Sequence, residues 1–236
     1  MRMIHLDEVT AHRGKKVALQ DVTLRIAPGT VTAVVGPNGA GKSTLFGLIS
    51  GRLRPTAGTV TVDGPVAEVL QTTMVDPHVR LTVHDVVCMG RYPSCGHLRR
   101  FRPADRTAVT NALDDVDLRT HERHALDRLS GGQRQRALLA QGLAQEASIL
   151  LLDEPSAGLD RLSQERVLEV IRTQADRGRT VVFSTHHLPD ANHADTVIAL
   201  SCSCVCCAPP GQAFTDPRVR ELFDPLGSLE RAPANQ

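Results

Sequence analysis

The sequence predicts an α/β fold with a helical segment inserted between its strands. Three observations carry that reading. An apolar stretch, Val31 to Val35, runs into the glycine-rich turn Gly36-Pro37-Asn38-Gly39-Ala40-Gly41 and then into Lys42-Ser43-Thr44. Two further continuous apolar runs, Ile149 to Leu152 and Val181 to Phe183, have the look of parallel strands covered on both faces. Between the first strands and these runs, from about Pro77 to Ala147, the apolar residues recur at helical spacing.

Residues 3–9 and 22–26 alternate as strands, joined by the polar turn Arg13-Gly14-Lys15-Lys16, and Pro28-Gly29 feeds the next strand. The turn over Gly36 to Gly41 matches Gly-x-x-x-x-Gly-Lys-Ser in the strand–loop–helix setting that makes a phosphate-binding loop credible. Its glycines let backbone N–H groups close around an anion, and the following helix adds its positive end. Lys42 supplies charge for outer phosphates, and the Ser43 hydroxyl suits Mg²⁺. The helix from Lys42 is expected to reach about Ser50, with Gly51 ending it. Residues 52–58 read as a loop, and Val60, Val62 and Val66 to Leu70 as two short strands, with Gln71 at the end of the second.

In the insert, Val83, Val86 and Val87 share a helix face, residues 90–103 read as a loop, and Asp105 to Leu118 as a helix burying Val109, Ala112, Leu113 and Val116. Ser130 can cap a helix over Arg134 to Gln145, with Gly131, Gly132 and Gln133 leaving its terminus open to an anion. Read alone, a simple capped helix is the favoured reading. The strand Ile149 to Leu152 ends in Asp153-Glu154-Pro155. Two carboxylates at the end of a buried strand are costly unless a cation or substrate meets them. Beside a phosphate loop, Asp153 suits Mg²⁺ and Glu154 suits polarising a water. Residues 164–175 form an amphipathic helix, and the strand at Val181 ends in Ser184-Thr185-His186-His187. Ligands of open α/β sheets gather at the carboxyl ends of strands, so Asp153, Glu154 and His186 are expected to face the phosphate loop.

Composition bounds the partners. The 236 residues carry a net charge of +1, which argues for no particular partner. Aromatics are 3% with no Trp, a poor supply for stacking nucleic-acid bases. No run of about 18 apolar residues spans a membrane, and the N-terminus shows no apolar signal region. A cytoplasmic setting follows as the expectation, with the six cysteines as thiols.

These stations together resemble the ATP-binding cassette family, the nucleotide-binding subunits of ABC transporters, over roughly residues 3–200. Gly36 to Thr44 matches the Walker A loop and Gln71 the Q-loop. Leu129-Ser130-Gly131-Gly132-Gln133 matches the signature, and Ile149 to Asp153 the Walker B strand before a catalytic Glu154. Ser156-Ala157-Gly158-Leu159-Asp160 matches the D-loop and His186 the switch histidine. The resemblance implies a single cassette over residues 1–236. Its α/β core would cover about 1–76 and 148–208, with an antiparallel β subdomain, a helical subdomain about 77–147 and a tail about 209–236.

The resemblance further implies that two copies sandwich two ATP molecules. Each ATP is then held by one copy's phosphate loop and by Ser130 and Gly132 of the other. Ser43, Gln71 and Asp153 attend Mg²⁺; Glu154 is the general base, and His186 contacts the γ-phosphate. His187 stands where the family often has Asp and is read as a loop residue. A membrane permease and an extracytoplasmic solute-binding protein complete such a system, at the cytoplasmic face of the membrane. A soluble cassette acting on nucleic acid is the weaker alternative, because this chain has one signature and no long heptad run. The family stacks an aromatic on adenine from a loop that here reads Ala11-His12-Arg13-Gly14. His12 or Arg13 stacking, and a merely solvated turn, stand as equal alternatives.

The segment Leu81 to Tyr92 and the run Ser130 to Gln145 resemble zinc and manganese uptake cassettes. Gly90-Arg91-Tyr92 occurs in siderophore and cobalamin relatives too, and an exporter is a further alternative. One stretch departs from the family: Ser201-Cys202-Ser203-Cys204-Val205-Cys206-Cys207. In one strand, Cys202, Cys204 and Cys206 would share a face. Small buried thiols are the favoured reading, and a thiolate site for Zn²⁺ or Cu(I) is the alternative. His121 and His124 read as surface histidines. The proline-rich tail is expected to hold a short helix near Arg218 to Leu222 and then fray.

Overall fold

A computed structural model describes residues 3–69, 80–95 and 101–223. In chain order its elements begin with β1 (Ile4–Arg13), β2 (Lys16–Ile26), β3 (Val31–Val35), α1 (Lys42–Ile49), β4 (Ala57–Val62) and β5 (Val66–Val69). Next come α2 (Val83–Met89), α3 (Tyr92–Cys95), α4 (Pro103–Asp115), α5 (Gly131–Leu143), β6 (Ile149–Leu152) and α6 (Arg161–Asp176). The last are β7 (Thr180–Thr185), α7 (Leu188–Ala191), β8 (Thr196–Leu200), β9 (Cys204–Ala208), α8 (Pro210–Ala213) and α9 (Pro217–Phe223). Short 3₁₀ turns at Arg119–His121 and Leu126–Arg128 lead into α5. The chain divides into two compact units, residues 1–63 with 184–236, and residues 64–183.

In the first unit, β1 lies between β2 and β4 in an antiparallel sheet. Ile4, Leu6, Val9 and Ala11 of β1 alternate inward and meet Ile26, Leu24, Val22 and Leu19 of β2. The pairing slips at Glu8 and Asp21, both at positive φ. There the Thr23 and Thr10 hydroxyls accept the N–H groups of Glu8 and Asp21, so the bulged backbone keeps its partners. β3 pairs parallel with β8, and β8 antiparallel with β9. All five β3 residues are buried, which is why four of them are apolar with no alternation and only the small Thr32 is polar. Leu45 and Phe46 of α1 are likewise buried.

In the second unit, β5, β6 and β7 pair parallel in that order, with Ile149–Leu152 buried throughout. α5 packs on α2, α4 and β5. Thr82 caps α2 in a reciprocal box with Asp85: the Thr82 hydroxyl accepts the Asp85 N–H, and the Asp85 carboxylate accepts the Thr82 N–H and hydroxyl. Those bonds hold the Asp85 carboxyl below the usual carboxylate range. Arg91 and Asp105 are both buried. Arg91 donates from Nε and Nη2 to Asp105 Oδ1 at 3.0 and 2.9 Å. From Nη1 it donates to the Ala144 carbonyl at 2.7 Å, where α5 ends, and to Glu146 at 2.9 Å.

Several boundaries differ from the expectation. Residues 57–58 belong to a strand, and the loop expected over 90–103 holds the short helix α3. α4 stops at Asp115 instead of Leu118, because Asp117 turns to φ 54 and the Leu118 N–H returns to the Leu113 carbonyl. α5 and α6 each begin three residues earlier than expected. The tail helix lies at Pro217–Phe223, and the residues beyond it fall outside those described. No helix among the described residues is long and apolar enough to cross a membrane.

Candidate nucleotide site

In the first unit, the strand–loop–helix order of the phosphate loop is as read: β3, the turn Gly36 to Gly41, then α1. Pro37, Asn38 and Gly39 face solvent, while Gly36 and Ala40 are buried beneath them. Gly41 is the N-cap of α1 at φ 102, and a Cβ there would meet the Leu19 side chain at 2.5 Å and the Ala18 carbonyl at 2.6 Å. Only glycine fits, on both counts. No side chain caps α1, in contrast to α2 and α5, so its N-terminus keeps the polarity that suits an anionic ligand. Lys42 is buried, and its Nζ donates to the carbonyls of Gly36 at 2.6 Å and Pro37 at 3.3 Å, clasping the loop from below. Ser43 is exposed and Thr44 buried. His186 follows β7 and is exposed. The turn that carries it is closed by its neighbour: the His187 N–H donates to Thr185 Oγ1 at 2.9 Å, and the His187 ring at Nδ1 meets the buried Asp190 carboxylate at 2.9 Å. His187 is thus a turn-closing residue, paired with its i+3 neighbour Asp190.

His12 is exposed on β1 with its Nδ1 3.0 Å from Thr56 Oγ1. The cysteine stretch departs from the expectation. Cys202 lies not in a strand with Cys204 and Cys206 but in the turn between β8 and β9, at φ 59. Its N–H donates to the Ala40 carbonyl of the phosphate loop at 3.0 Å, and its carbonyl accepts the Gln20 N–H at 2.7 Å. Burial pushes the Cys204 thiol up to about 11, with Cys207 and Cys206 adding to it. A metal needs the thiolate. Among the described residues no group of three His, Cys, Asp or Glu side chains could hold a metal ion. The expectation of small buried thiols is not met either, since Cys204 and Cys206 are half-buried and Cys202 and Cys207 exposed.

In the second unit, Ser130 caps α5: its hydroxyl accepts the Gln133 N–H at 3.2 Å, and the Gln133 carboxamide oxygen accepts the Ser130 N–H at 3.0 Å. Ser130 and Gly131 are exposed, and space around Gly131 is open. Gly132 is buried, and a Cβ there would run into the Ser163 hydroxyl. Ser163 in turn donates its N–H and hydroxyl to Asp160, the N-cap of α6, at 3.0 and 2.7 Å. These bonds hold the Asp160 carboxyl below its ordinary range. The signature turn and the D-loop aspartate are therefore joined through Ser163, a residue that nothing in the sequence singled out.

Asp153 and Glu154 are half-buried beyond β6. The Asp153 N–H extends the β5–β6 ladder by donating to the Val69 carbonyl at 3.0 Å. Glu154 takes φ 49, a left-handed conformation that costs a non-glycine residue about 1–2 kcal/mol. Strain of this kind gathers where a side chain must be aimed. Gln71 lies outside the described residues. Asp153 supplies a half-buried carboxylate, which suits Mg²⁺, an ion commonly held by one or two carboxylates with substrate phosphates rather than by a full protein cage.

A strand–glycine loop–helix with a buried lysine, a second helix start capped by serine, and a strand ending in paired carboxylates define a nucleotide-binding cassette. The ABC transporter family model matches residues 19–157, and the chain belongs to that family. It is an ATP-binding cassette ATPase. It is similar to the manganese transport system ATP-binding protein MntB of Listeria innocua, 35% identical over 93% of this chain and 95% of that one. It is also similar to the zinc transport system ATP-binding protein TroB of Treponema pallidum, 34% identical over 93% and 86%. Among solved structures, an ABC transporter of metal-chelate type in an inward-facing conformation shares the fold at TM-score 0.87, with 28% identity over 94% of this chain and 89% of that one. A bacterial ABC transporter cassette solved as a dimer matches at TM-score 0.74, with 25% identity over 88% and 98%.

Proposed function

We propose that this cassette hydrolyses ATP to drive import of a divalent metal ion, manganese or zinc, through a separate membrane permease. The observation that carries the cargo is the likeness along 93% of the chain to manganese and zinc transport ATP-binding proteins. The cassette works at the cytoplasmic face of the membrane, supplied by an extracytoplasmic binding protein, and engages no nucleic acid. Two copies close on two ATP molecules. Gly36 to Thr44 cradles the triphosphate of one copy, and Ser130, Gly131, Gly132 and Gln133 of the other copy meet the same nucleotide. Ser43 and Asp153 hold Mg²⁺, with Gln71 attending it; the ion neutralises phosphate charge when bound. Glu154 takes the proton of the attacking water, His186 contacts the γ-phosphate, and Asp160 keeps the α6 turn in register with the signature. The strained backbone of Glu154 and the uncapped start of α1 support this division of roles.

Growth of a strain lacking the protein, in metal-chelated medium with Mn²⁺, Zn²⁺ or Fe restored singly, tests the cargo. Rescue by Mn²⁺ or Zn²⁺ alone is expected. Indifference to all three metals would overturn metal import and point to another solute.

A further inference from the structure

The signature turn has a partner that its own motif does not contain. Gln133 spends its carboxamide oxygen on the Ser130 N–H, so the atom it turns toward His121 is Nε2, 3.3 Å from His121 Nε2. An amide NH₂ only donates, so His121 must offer a lone pair at Nε2 and carry its proton on Nδ1. Nδ1 lies 3.0 Å from Thr120 Oγ1, which can accept that proton. The ring is half-buried and packed edge-on against His124, with centroids 5.1 Å apart.

The backbone around His121 is also fixed. The N–H groups of Val83 and His84 donate to the carbonyls of His124 and Glu122 at 3.0 and 2.9 Å, and the Leu126 N–H donates to the Leu81 carbonyl at 2.9 Å. His121 thus sits on a strap fastened to the start of α2 and holds the Gln133 side chain that completes the α5 capping box.

We infer that His121 is a positioning residue for the signature turn, acting as the Nδ1–H tautomer that accepts from Gln133. Holding Gln133 Nε2 keeps the amide oxygen on the Ser130 N–H and the Gln133 N–H on Ser130 Oγ. Ser130 Oγ then has one lone pair engaged and its own proton outward, ready to donate to a phosphate oxygen. Without an acceptor at His121, the Gln133 amide loses the bond that fixes its orientation, and the exposed Ser130 hydroxyl loses a fixed direction.

The inference rests on the proposed meeting of Ser130 with the nucleotide of a second copy, and the test separates the two. Steady-state ATPase is measured on the purified full chain for His121→Ala, His121→Gln and His121→Lys. Equilibrium binding of ATP without metal and the thermal unfolding midpoint are measured alongside. Loss of one neutral hydrogen bond corresponds to a fall in kcat of about three- to tenfold in His121→Ala, with ATP affinity and the midpoint unchanged. His121→Gln places a carbonyl oxygen near the Nε2 position and is expected to recover to within about twofold; His121→Lys, a donor only, is not. Unchanged kcat in His121→Ala, equal recovery by Gln and Lys, or a loss that tracks the unfolding midpoint would overturn the inference. Ser130→Arg is the control. If it is fully active, the reading of the signature fails. If it is inactive while His121→Ala is normal, the role of His121 fails alone.

Discussion

Replacing Arg91 with Met, which keeps the length of the stem and removes the guanidinium, isolates a buried ion pair of the helical part. The loss can be worked from its bonds. Arg91→Met takes two N–H donors from the buried Asp105 carboxylate and a third from the Ala144 carbonyl at the end of α5. The Glu146 contact adds little, because that side chain is 55% exposed. Breaking a buried pair by removing one partner costs about 3–5 kcal/mol, most of it the desolvated charge left behind. For a chain of this size that is a fall in unfolding midpoint of roughly 6–20 °C. Asp105 also caps α4 by accepting the Arg102 N–H at 2.9 Å, so replacing both residues by apolar ones forfeits a cap worth about 1 kcal/mol but leaves no buried charge. Urea unfolding followed by circular dichroism is therefore expected to rank Arg91→Met with Asp105→Leu as far less destabilised than the sum of the two singles. A single-variant loss under about 1 kcal/mol, or additive singles, would refute the reasoning.

Three further outcomes are expected. Lys42→Ala weakens ATP binding itself, since it removes the clasp on Gly36 and Pro37 along with the charge, whereas Glu154→Gln keeps binding and loses turnover; isothermal titration with an ATPase assay separates them, and wild-type turnover in Glu154→Gln would remove the general base. The Cys204 thiol, raised to about 11, holds roughly two orders of magnitude less thiolate at neutral pH than a free cysteine. Mass-resolved alkylation should show its rate rising about tenfold per pH unit from 7 to 10, and a plateau near pH 8.5 would contradict the burial argument. Thr82→Ala should cost about 1 kcal/mol near neutral pH. Asp85 is held low by Thr82, so its stabilisation is present above its unfolded value and fades as pH drops through the lower folded one. The difference from wild type in urea titrations should hold from pH 7 to 5 and shrink below about pH 4; shrinkage already at pH 6 would point to another group.

The parts of the chain that handle anions were legible because their chemistry admits few residue types. The loop from Gly36 to Gly41 leaves no room for a Cβ at Gly41, and Ser130 with Gln133 three residues on spells a capping box. Hidden from the sequence were the partners set by tertiary approach. Ser163 under Gly132 and His121 beside Gln133 lie 31 and 12 residues away in the chain, and neither has a local pattern of its own. The end of α4 was missed because its left-handed residue is Asp117, where a glycine would have announced the stop. The turn at Cys202 is hidden in the same way: nothing in Ser-Cys-Ser announces a positive φ. The Gly90-Arg91-Tyr92 end of the Leu81 to Tyr92 segment does much of its work inside the fold, since Arg91 joins α4 to α5 and only Tyr92 is exposed.

The two hydrogen bonds that pin the Cys202 turn, one to Ala40 and one from Gln20, make that peptide a built-in gauge. The Cys202 amide proton can exchange with solvent only when the bond to Ala40 parts, so its exchange rate reads how often the phosphate loop lifts away from the turn beneath it. Comparing that single rate with and without nucleotide would measure the tightening of the loop without altering any residue of the protein.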